Sequence, residues 1–222
     1  MRKPTSKLCG HLDTLTRSSL TLAKGRTLDI ITGADTLEAF IPMRSNLERL
    51  SQAFYLAELV DAINPAEAPN PLAYALLLEG LTALGSQDDL EVLMRYLELR
   101  LLACSGFLPE LHRCVECHNT LTPEEHLFSP QAGGVLCPGC RPAHPDAAHL
   151  SVDALKVLRY LFTATLEAAT RLRISQPLHR ELAGIVNAFL RHILEREVRS
   201  VAFLRSVRRH QPEAILSAPV TR

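Results

Sequence analysis

Two pairs of cysteines constrain this chain more than any other feature of its sequence. Two residues separate Cys114 from Cys117 and Cys137 from Cys140, and 19 residues lie between the pairs. Two intervening residues let both thiolates of a pair reach one ion from a single turn. A gap of about 15–20 residues between pairs is usual for a tetrahedral four-thiolate site. The spacing therefore predicts that these four cysteines bind one Zn²⁺ ion.

The alternatives are two disulfides or four unpaired thiols. The chain has no apolar run long enough to span a membrane, and no apolar signal region follows Met1. We therefore expect a cytoplasmic protein, in which reduced thiolates favour a metal over disulfides. Four cysteines saturate a tetrahedral ion and leave no position for water, so the expected zinc is structural. Four nearby histidines could replace a thiolate, but none is needed: His112, His118, His126 and His144.

Common catalytic motifs do not fit the sequence, and we expect a protein that is not an enzyme. Zinc deaminases place H-x-E before P-C-x-x-C, whereas the H-x-E at His179–Glu181 follows the cysteines and is expected on the surface. Gly133-Gly134 is a turn between the cysteine pairs and no phosphate-binding loop. A zinc hydrolase stays open as a rival. Cys104 is expected in the core, and Cys9 has no evident partner.

Helical periodicity and capping signals dominate the chain from residue 44 onward. A capping box at Ser45–Glu48 predicts a helix to about Ile63, and Asn70-Pro71 opens a second helix. Asp88–Glu91 opens a third, whose apolar residues occupy one face up to Gly106. Ser151 and Gln176-Pro177 open the last two. A high Leu and Ala content, no Trp and 5% aromatic residues also favour helices over a β-sandwich.

The first 43 residues have a different pattern. Apolar and polar residues alternate through 12–32, with a turn at Lys24-Gly25 in which Gly25 would supply a positive φ. A further short strand is expected from Thr36 to Ile41. Two or three strands cannot cover their own apolar face, so this piece is expected to be incomplete or docked.

The formal net charge is zero, but the charges are segregated. Residues 1–28 contain six Lys or Arg and one acid, and residues 171–210 contain nine Arg and three Glu. Basic clusters at both ends suit sequence-neutral contact with nucleic-acid phosphates, and the lack of aromatic residues in 1–39 argues against base stacking. The candidate DNA contacts are Arg2, Lys3, Lys7, Arg17, Lys24, Arg26, Arg205, Arg208 and Arg209.

The order and spacing of several segments resemble the bacterial RecO family of recombination mediators. The segments are residues 2–8 with 10–12, 20–29, 55–61, 95–102 with 106–109, the two cysteine pairs, and 204–206. The resemblance implies a fold with an N-terminal oligonucleotide-binding (OB) barrel, a helical bundle and a zinc-finger insertion. Family members begin further upstream, so either Met1 lies inside the true gene or the barrel is reduced to a remnant.

The resemblance also implies a function. RecO proteins act in the RecF pathway of DNA repair, bind single- and double-stranded DNA and anneal complementary strands. They contact the acidic tail of single-stranded-DNA-binding protein (SSB), and with RecR they help to load RecA. We therefore expect a mainly α protein associated with the nucleoid. Residues 1–43 would form a partial OB-fold, and residues 44–222 a helical domain with a zinc module at about 109–145. The alternative is a zinc-stabilised adaptor that binds only proteins.

Overall fold

The computed structural model describes residues 8–65 and 68–195 and the single positions 200 and 207. Within these residues the chain is mainly α-helical, as predicted. Its helices are α1 (Ile41–Arg44), α2 (Leu47–Ile63), α3 (Pro71–Ala83), α4 (Leu90–Cys104), α5 (Val152–Thr163), α6 (Leu166–Thr170) and α7 (Gln176–Leu194). No helix in the described ranges combines the length and apolarity needed to cross a membrane.

The N-terminal strands form one antiparallel hairpin, β1 (Arg17–Ala23) and β2 (Ile30–Glu38). The separate strand expected from Thr36 to Ile41 is wrong, because β2 runs through Thr36 and Ile41 begins α1. Both strands are exposed along most of their length. Gly25 does not have a positive φ. A Cβ there would instead collide with the Leu28 carbonyl, and that close approach explains the glycine.

Arg44 joins the base of the hairpin to the helices. Its Nε donates to the Ala39 carbonyl at 2.7 Å, just after β2. Its Nη1 lies 3.2 Å from the Asp13 carboxylate, and its Nη2 donates to Thr16 Oγ1 at 2.6 Å, both just before β1. One guanidinium therefore holds the two ends of the hairpin together.

Side-chain caps start the helices close to the predicted positions. Asn70, Asp89 and Ser151 cap α3, α4 and α5, because the side chain of each accepts the backbone N–H of the residue three positions later. The predicted caps of α2 and α4 are each wrong by one residue. Asn46, not Ser45, accepts the Arg49 N–H at 3.1 Å, and Asp89, not Asp88, accepts the Val92 N–H at 3.0 Å. Asn46 has the extended backbone of an N-cap, whereas Ser45 ends α1.

Helix α4 lies at the centre of the helical body. The sequence predicts one apolar face, yet Val92, Met94, Leu99 and Leu102 on its other faces are also buried. Helices α2 and α3 pack against it from one part of the chain, and α5, α6 and α7 return to cover the rest. Gly80 of α3 permits this packing, since a Cβ there would lie 2.6 Å from a methyl carbon of Leu56.

His179 and Glu181 are expected on the surface, but both contact other parts of the fold. His179 is buried in α7, with Nδ1 3.7 Å from Glu91 and Nε2 4.0 Å from Asp89, both at the start of α4. Glu181 accepts the backbone N–H of Ser151 at 2.6 Å and its hydroxyl at 2.8 Å. Both contacts tie α7 to the beginning of another helix. Cys104, which is expected in the core, is half-buried and packs against the core.

A second sheet connects α4 to α5. Its strands β3 (His126–Ser129), β4 (Gly134–Leu136) and β5 (Ala148–Leu150) are antiparallel in the order β4-β3-β5. Phe128 of β3 is buried against Phe189 of α7, edge to face, with ring centroids 5.7 Å apart. The segment that contains the cysteines is therefore anchored on the helical core.

Candidate metal centre

The four predicted ligand residues meet at one point. The Sγ atoms of Cys114, Cys117, Cys137 and Cys140 all lie within 4.8 Å of one another. The sulfur–sulfur separation is 3.8 Å for Cys117–Cys137 and 3.6 Å for Cys137–Cys140. A disulfide would need about 2.05 Å. Sulfurs at about 2.3 Å from a tetrahedral ion stand about 3.8 Å apart, so the donor set fits such an ion.

The first pair sits in a tight turn that its own backbone closes. The His118 N–H donates to the Cys114 carbonyl at 2.9 Å, and His118 adopts a left-handed φ of 61°. The Cys114 N–H donates to the Asn119 carbonyl at 2.9 Å. Before the turn, Glu110 accepts the N–H groups of His112 and Arg113, and these bonds lower the pKa of its carboxyl. Hydrogen bonds of the backbone and of Glu110 therefore close the turn that carries the first cysteine pair.

The second pair follows β4 directly. Cys137 precedes a 3-10 helix, Pro138–Ala143, and the Cys140 N–H donates to the Cys137 carbonyl at 3.0 Å. The two turns are joined because Val115 N–H donates to the Val135 carbonyl at 2.9 Å, and Cys137 N–H donates to Cys114 Sγ at 3.3 Å. Strand β4 therefore sets the position of one cysteine pair relative to the other.

Gly134 is a part of the site that the sequence showed only as a turn residue. A Cβ at this position would collide with the Glu110 carbonyl and lie 2.9 Å from Val115. Only glycine lets β4 approach the first cysteine turn this closely. A cluster of two glycines between cysteine pairs was the one sequence signal of this contact.

Arg159 of α5 fixes the module to the helical body, and sequence patterns gave no signal of it. Its Nε and Nη2 donate to the buried Leu111 carbonyl at 2.9 and 2.6 Å. Leu111 lies three residues before Cys114. The contact joins positions 48 apart in sequence, which no local pattern can connect.

The electrostatics of the four thiols favour a cation. Burial alone raises the pKa of the Cys114 thiol, but N–H groups of Cys117, Cys137 and Glu116 point at the sulfur and bring its pKa to about 6. The hydrogen bond with Cys137 raises the pKa of Cys140 to about 12. Several thiolates this close repel one another, and a divalent cation resolves that conflict. Tetrahedral four-sulfur sets suit zinc or iron.

No histidine belongs to the cluster within the described residues. His126 is buried, and its Nε2 lies 2.8 Å from the Thr122 carbonyl. His144 lies 3.0 Å from the Glu116 carboxylate and so joins the two cysteine turns without contacting sulfur. The group that could hold an ion in the described residues therefore consists of four sulfurs.

The candidate DNA-contacting residues are not brought together in the same way. Arg17 begins β1, whereas Lys24 and Arg26 lie in the loop between β1 and β2, and all three are exposed. None forms an ion pair within the described ranges. Asp29, together with Asp35 and Glu38 of β2, lies in the same hairpin, so its described part has no basic surplus. Six further candidates lie outside the described residues: Arg2, Lys3, Lys7, Arg205, Arg208 and Arg209.

Comparison with known proteins places this site in a family. A family model described as "Recombination protein O C terminal" matches residues 44–202. The DNA repair protein RecO of a Dehalococcoides mccartyi strain is 39% identical over 208 residues, which cover 94% of this chain and 82% of that protein. The DNA repair protein RecO of a Roseiflexus species is 42% identical over 207 residues, or 93% of this chain and 73% of that protein. The DNA repair protein RecO of Desulforudis audaxviator is 38% identical over 206 residues, which cover 92% of this chain and 82% of that protein.

Proposed function

Because the chain belongs to the RecO family of DNA repair and recombination proteins, we propose that it is a recombination mediator that binds DNA, anneals complementary strands and assists RecA loading with RecR. The family match over 44–202, which includes all four cysteines, carries this proposal. The cellular place that goes with it is the bacterial cytoplasm, at the nucleoid. Residues 1–43 are proposed to be part of an OB-fold, and residues 44–222 the helical domain.

Contact with DNA phosphates is assigned to the basic ends of the chain. In the described part, the exposed side chains of Arg17, Lys24 and Arg26 support this assignment, since none is engaged in an ion pair there. Asp35 and Glu38 lie on β2 and Asp29 lies at the end of the loop, so the contact is expected at Arg17 on β1 and at Lys24 and Arg26 at the start of the loop. Binding to phosphates releases counterions and weakens steeply with salt.

Oligonucleotide binding over a range of salt concentrations tests this part. The triple variant R17Q/K24Q/R26Q should bind single-stranded DNA more weakly. Its salt slope should fall by about 0.7 for each phosphate that the variant no longer neutralises. The matched control removes three exposed cations outside both basic ends, R113Q/R141Q/K156Q, and should leave the slope unchanged. If wild-type protein fails to bind at low salt, phosphate contact is refuted and the alternative, an adaptor that binds only proteins, is favoured.

The metal is proposed to be a structural Zn²⁺ held by Cys114, Cys117, Cys137 and Cys140. Zinc would supply the charge that lets four close thiolates ionise together, and would lock the two turns. Four sulfurs leave no coordination position for water or substrate, which supports a role without catalysis and disfavours the zinc hydrolase. Metal analysis of the purified protein should give one zinc per chain. Finding iron, or no metal, would contradict this assignment.

The acidic tail of SSB is proposed to bind a groove between α3 and α4. The groove has a volume of about 430 Å³ and combines the apolar surface of Leu72, Leu76 and Tyr96 with one cation, Arg100, and one acid, Glu79. Leu72 is 67% exposed, so its apolar surface is available to a partner. L72S should weaken binding of a labelled tail peptide, whereas S86A, an exposed position after α3, should not. Equal affinity for both variants would place the tail elsewhere.

A further inference from the structure

The four sulfurs of the metal centre differ in their access to solvent. Cys117 is exposed, Cys137 and Cys140 are half-buried, and Cys114 is buried. Cys114 also accepts the Cys137 N–H, so its sulfur is shielded and hydrogen-bonded. A reagent that diffuses to the site from solvent therefore meets Cys117 first. Thiolate character and exposure together decide which cysteine is oxidised.

A sulfur of the other pair lies close to Cys117. Cys117 Sγ is 3.8 Å from Cys137 Sγ, across the two turns. Closing this gap to the length of a disulfide needs a movement of only about 2 Å. The Val115–Val135 and Cys137–Cys114 hydrogen bonds already hold the two turns side by side. A bond between Cys117 and Cys137 would therefore keep the module closed.

We propose that Cys117 is an oxidation site for hydroperoxides and that Cys137 is its resolving partner, an inference that rests on the zinc site proposed above. The Cys117 thiolate attacks the terminal oxygen of the peroxide and becomes a sulfenic acid, and the O–O bond breaks to release hydroxide from hydrogen peroxide or an alkoxide from an organic hydroperoxide. The Cys137 thiolate attacks that sulfur and displaces hydroxide, which gives a disulfide. Two electrons pass from the two sulfurs to the peroxide. A zinc ion held by the four cysteines would then keep only Cys114 and Cys140 as ligands, and we expect it to be released.

The rest of the fold is expected to survive this reaction. Phe128 and Phe189 anchor the second sheet on α7, and the two hydrogen bonds from Arg159 hold Leu111. Neither contact depends on the ion. Oxidation would therefore replace the metal link between the two turns by a disulfide while the helical body stays folded. A thiol reductant with added zinc should reverse the reaction.

Cys104 provides an internal comparison within the same chain. It is half-buried on α4, its Sγ donates to the Leu101 carbonyl at 3.3 Å, and burial raises the pKa of its thiol. Cys104 lies outside the four-sulfur group, so it has no neighbouring sulfur there with which to form a disulfide, and the proposed ion would not keep it ionised. We expect it to stay reduced while the four clustered cysteines react.

The experiment measures zinc release from the full chain with a coloured chelator during treatment with hydrogen peroxide. Wild-type protein should release one zinc per chain, with its far-ultraviolet circular dichroism unchanged. C117H keeps four ligands in a Cys₃His set but removes the exposed thiolate, so its release should be roughly tenfold slower. C140H has the same ligand set but keeps Cys117, and its rate should stay close to that of the wild type.

Mass spectrometry then identifies the bond. Cleavage after glutamate separates Cys117 from Cys114 at Glu116, and from Cys137 and Cys140 at Glu124 and Glu125, so the expected disulfide links two fragments. Fragmentation of the linked pair between Cys137 and Cys140 then shows which of these two residues is bonded to Cys117. A Cys137–Cys140 bond alone, or equal release from C117H and wild type, overturns the proposal. Protein purified without zinc refutes the zinc site itself, and the oxidation site falls with it. Zinc that is bound but not released by peroxide refutes the oxidation site alone.

Discussion

A buried polar cluster between α2 and α4 makes the sharpest prediction about the stability of this protein. Glu98 is completely buried, and its Oε1 accepts the Tyr55 hydroxyl at 2.8 Å and Arg95 Nη2 at 2.8 Å. Burial, together with the nearby Glu98 carboxylate, raises the pKa of Tyr55 well above its ordinary value, so its hydroxyl stays protonated and can donate. The three side chains form one unit in the core.

Replacing Glu98 by Met removes the acceptor and leaves two polar groups buried without it. The Arg95 side chain is only 12% exposed, so its charge would lose its counterion away from water. Breaking a buried pair in this way costs about 3–5 kcal/mol. The triple variant Y55F/R95M/E98M removes all three polar partners together and replaces them with apolar groups of similar size. It should lie within about 2 kcal/mol of the wild type.

Equilibrium unfolding in urea, with zinc present, measures both effects. With a slope of about 2 kcal/mol per M, a destabilisation of about 4 kcal/mol lowers the midpoint by roughly 2 M. E167M is the matched control, because Glu167 and Arg171 form an exposed pair whose removal should cost at most about 1 kcal/mol. The reasoning is refuted if E98M is no worse than E167M, or if the triple variant is as unstable as E98M alone.

Two further predictions concern the attachment of the metal module. R159M leaves the buried Leu111 carbonyl without its two donors and should lower the free energy of unfolding in urea by about 1–3 kcal/mol. K156M, on the exposed side of α5, should change it by less than about 0.5 kcal/mol. Equal effects of the two variants would argue against a stabilising contact between Arg159 and Leu111. G134A forces a Cβ into the Glu110 backbone and should lower zinc affinity in a chelator competition, while G139A, where a Cβ would meet only Cys137 Sγ at 3.9 Å, should retain it. Unchanged affinity in G134A would show that the close approach is not needed.

Short-range signals account for what could be predicted of this fold. Asn70, Asp89 and Ser151 mark their helices because a cap bonds a backbone group three residues away. The cysteine site was predictable because a two-residue spacing fixes two ligands within one turn. The α2 cap was missed by one residue because Ser45 and Asn46 carry equivalent side-chain signals, and only the backbone of Asn46 is extended.

Contacts between distant parts of the chain decided the rest. Whether His179 was on the surface depended on α7 packing against the start of α4, 90 residues away from Asp89. The burial of α4 on all sides depended on three later helices returning to it.

The sequence by itself determined the mainly helical class, most helix starts to within a residue, the grouping of four cysteines and the resemblance to RecO proteins. Only the tertiary structure decided how the candidate metal centre is held. Gly134 lets β4 lie beside the first cysteine turn, and Arg159 of α5 binds the Leu111 carbonyl that precedes this turn. It also decided that the described hairpin has acids beside its cations. The physical reason is range, because caps and ligand spacings act over a few residues, whereas packing and charge balance depend on which segments meet in space.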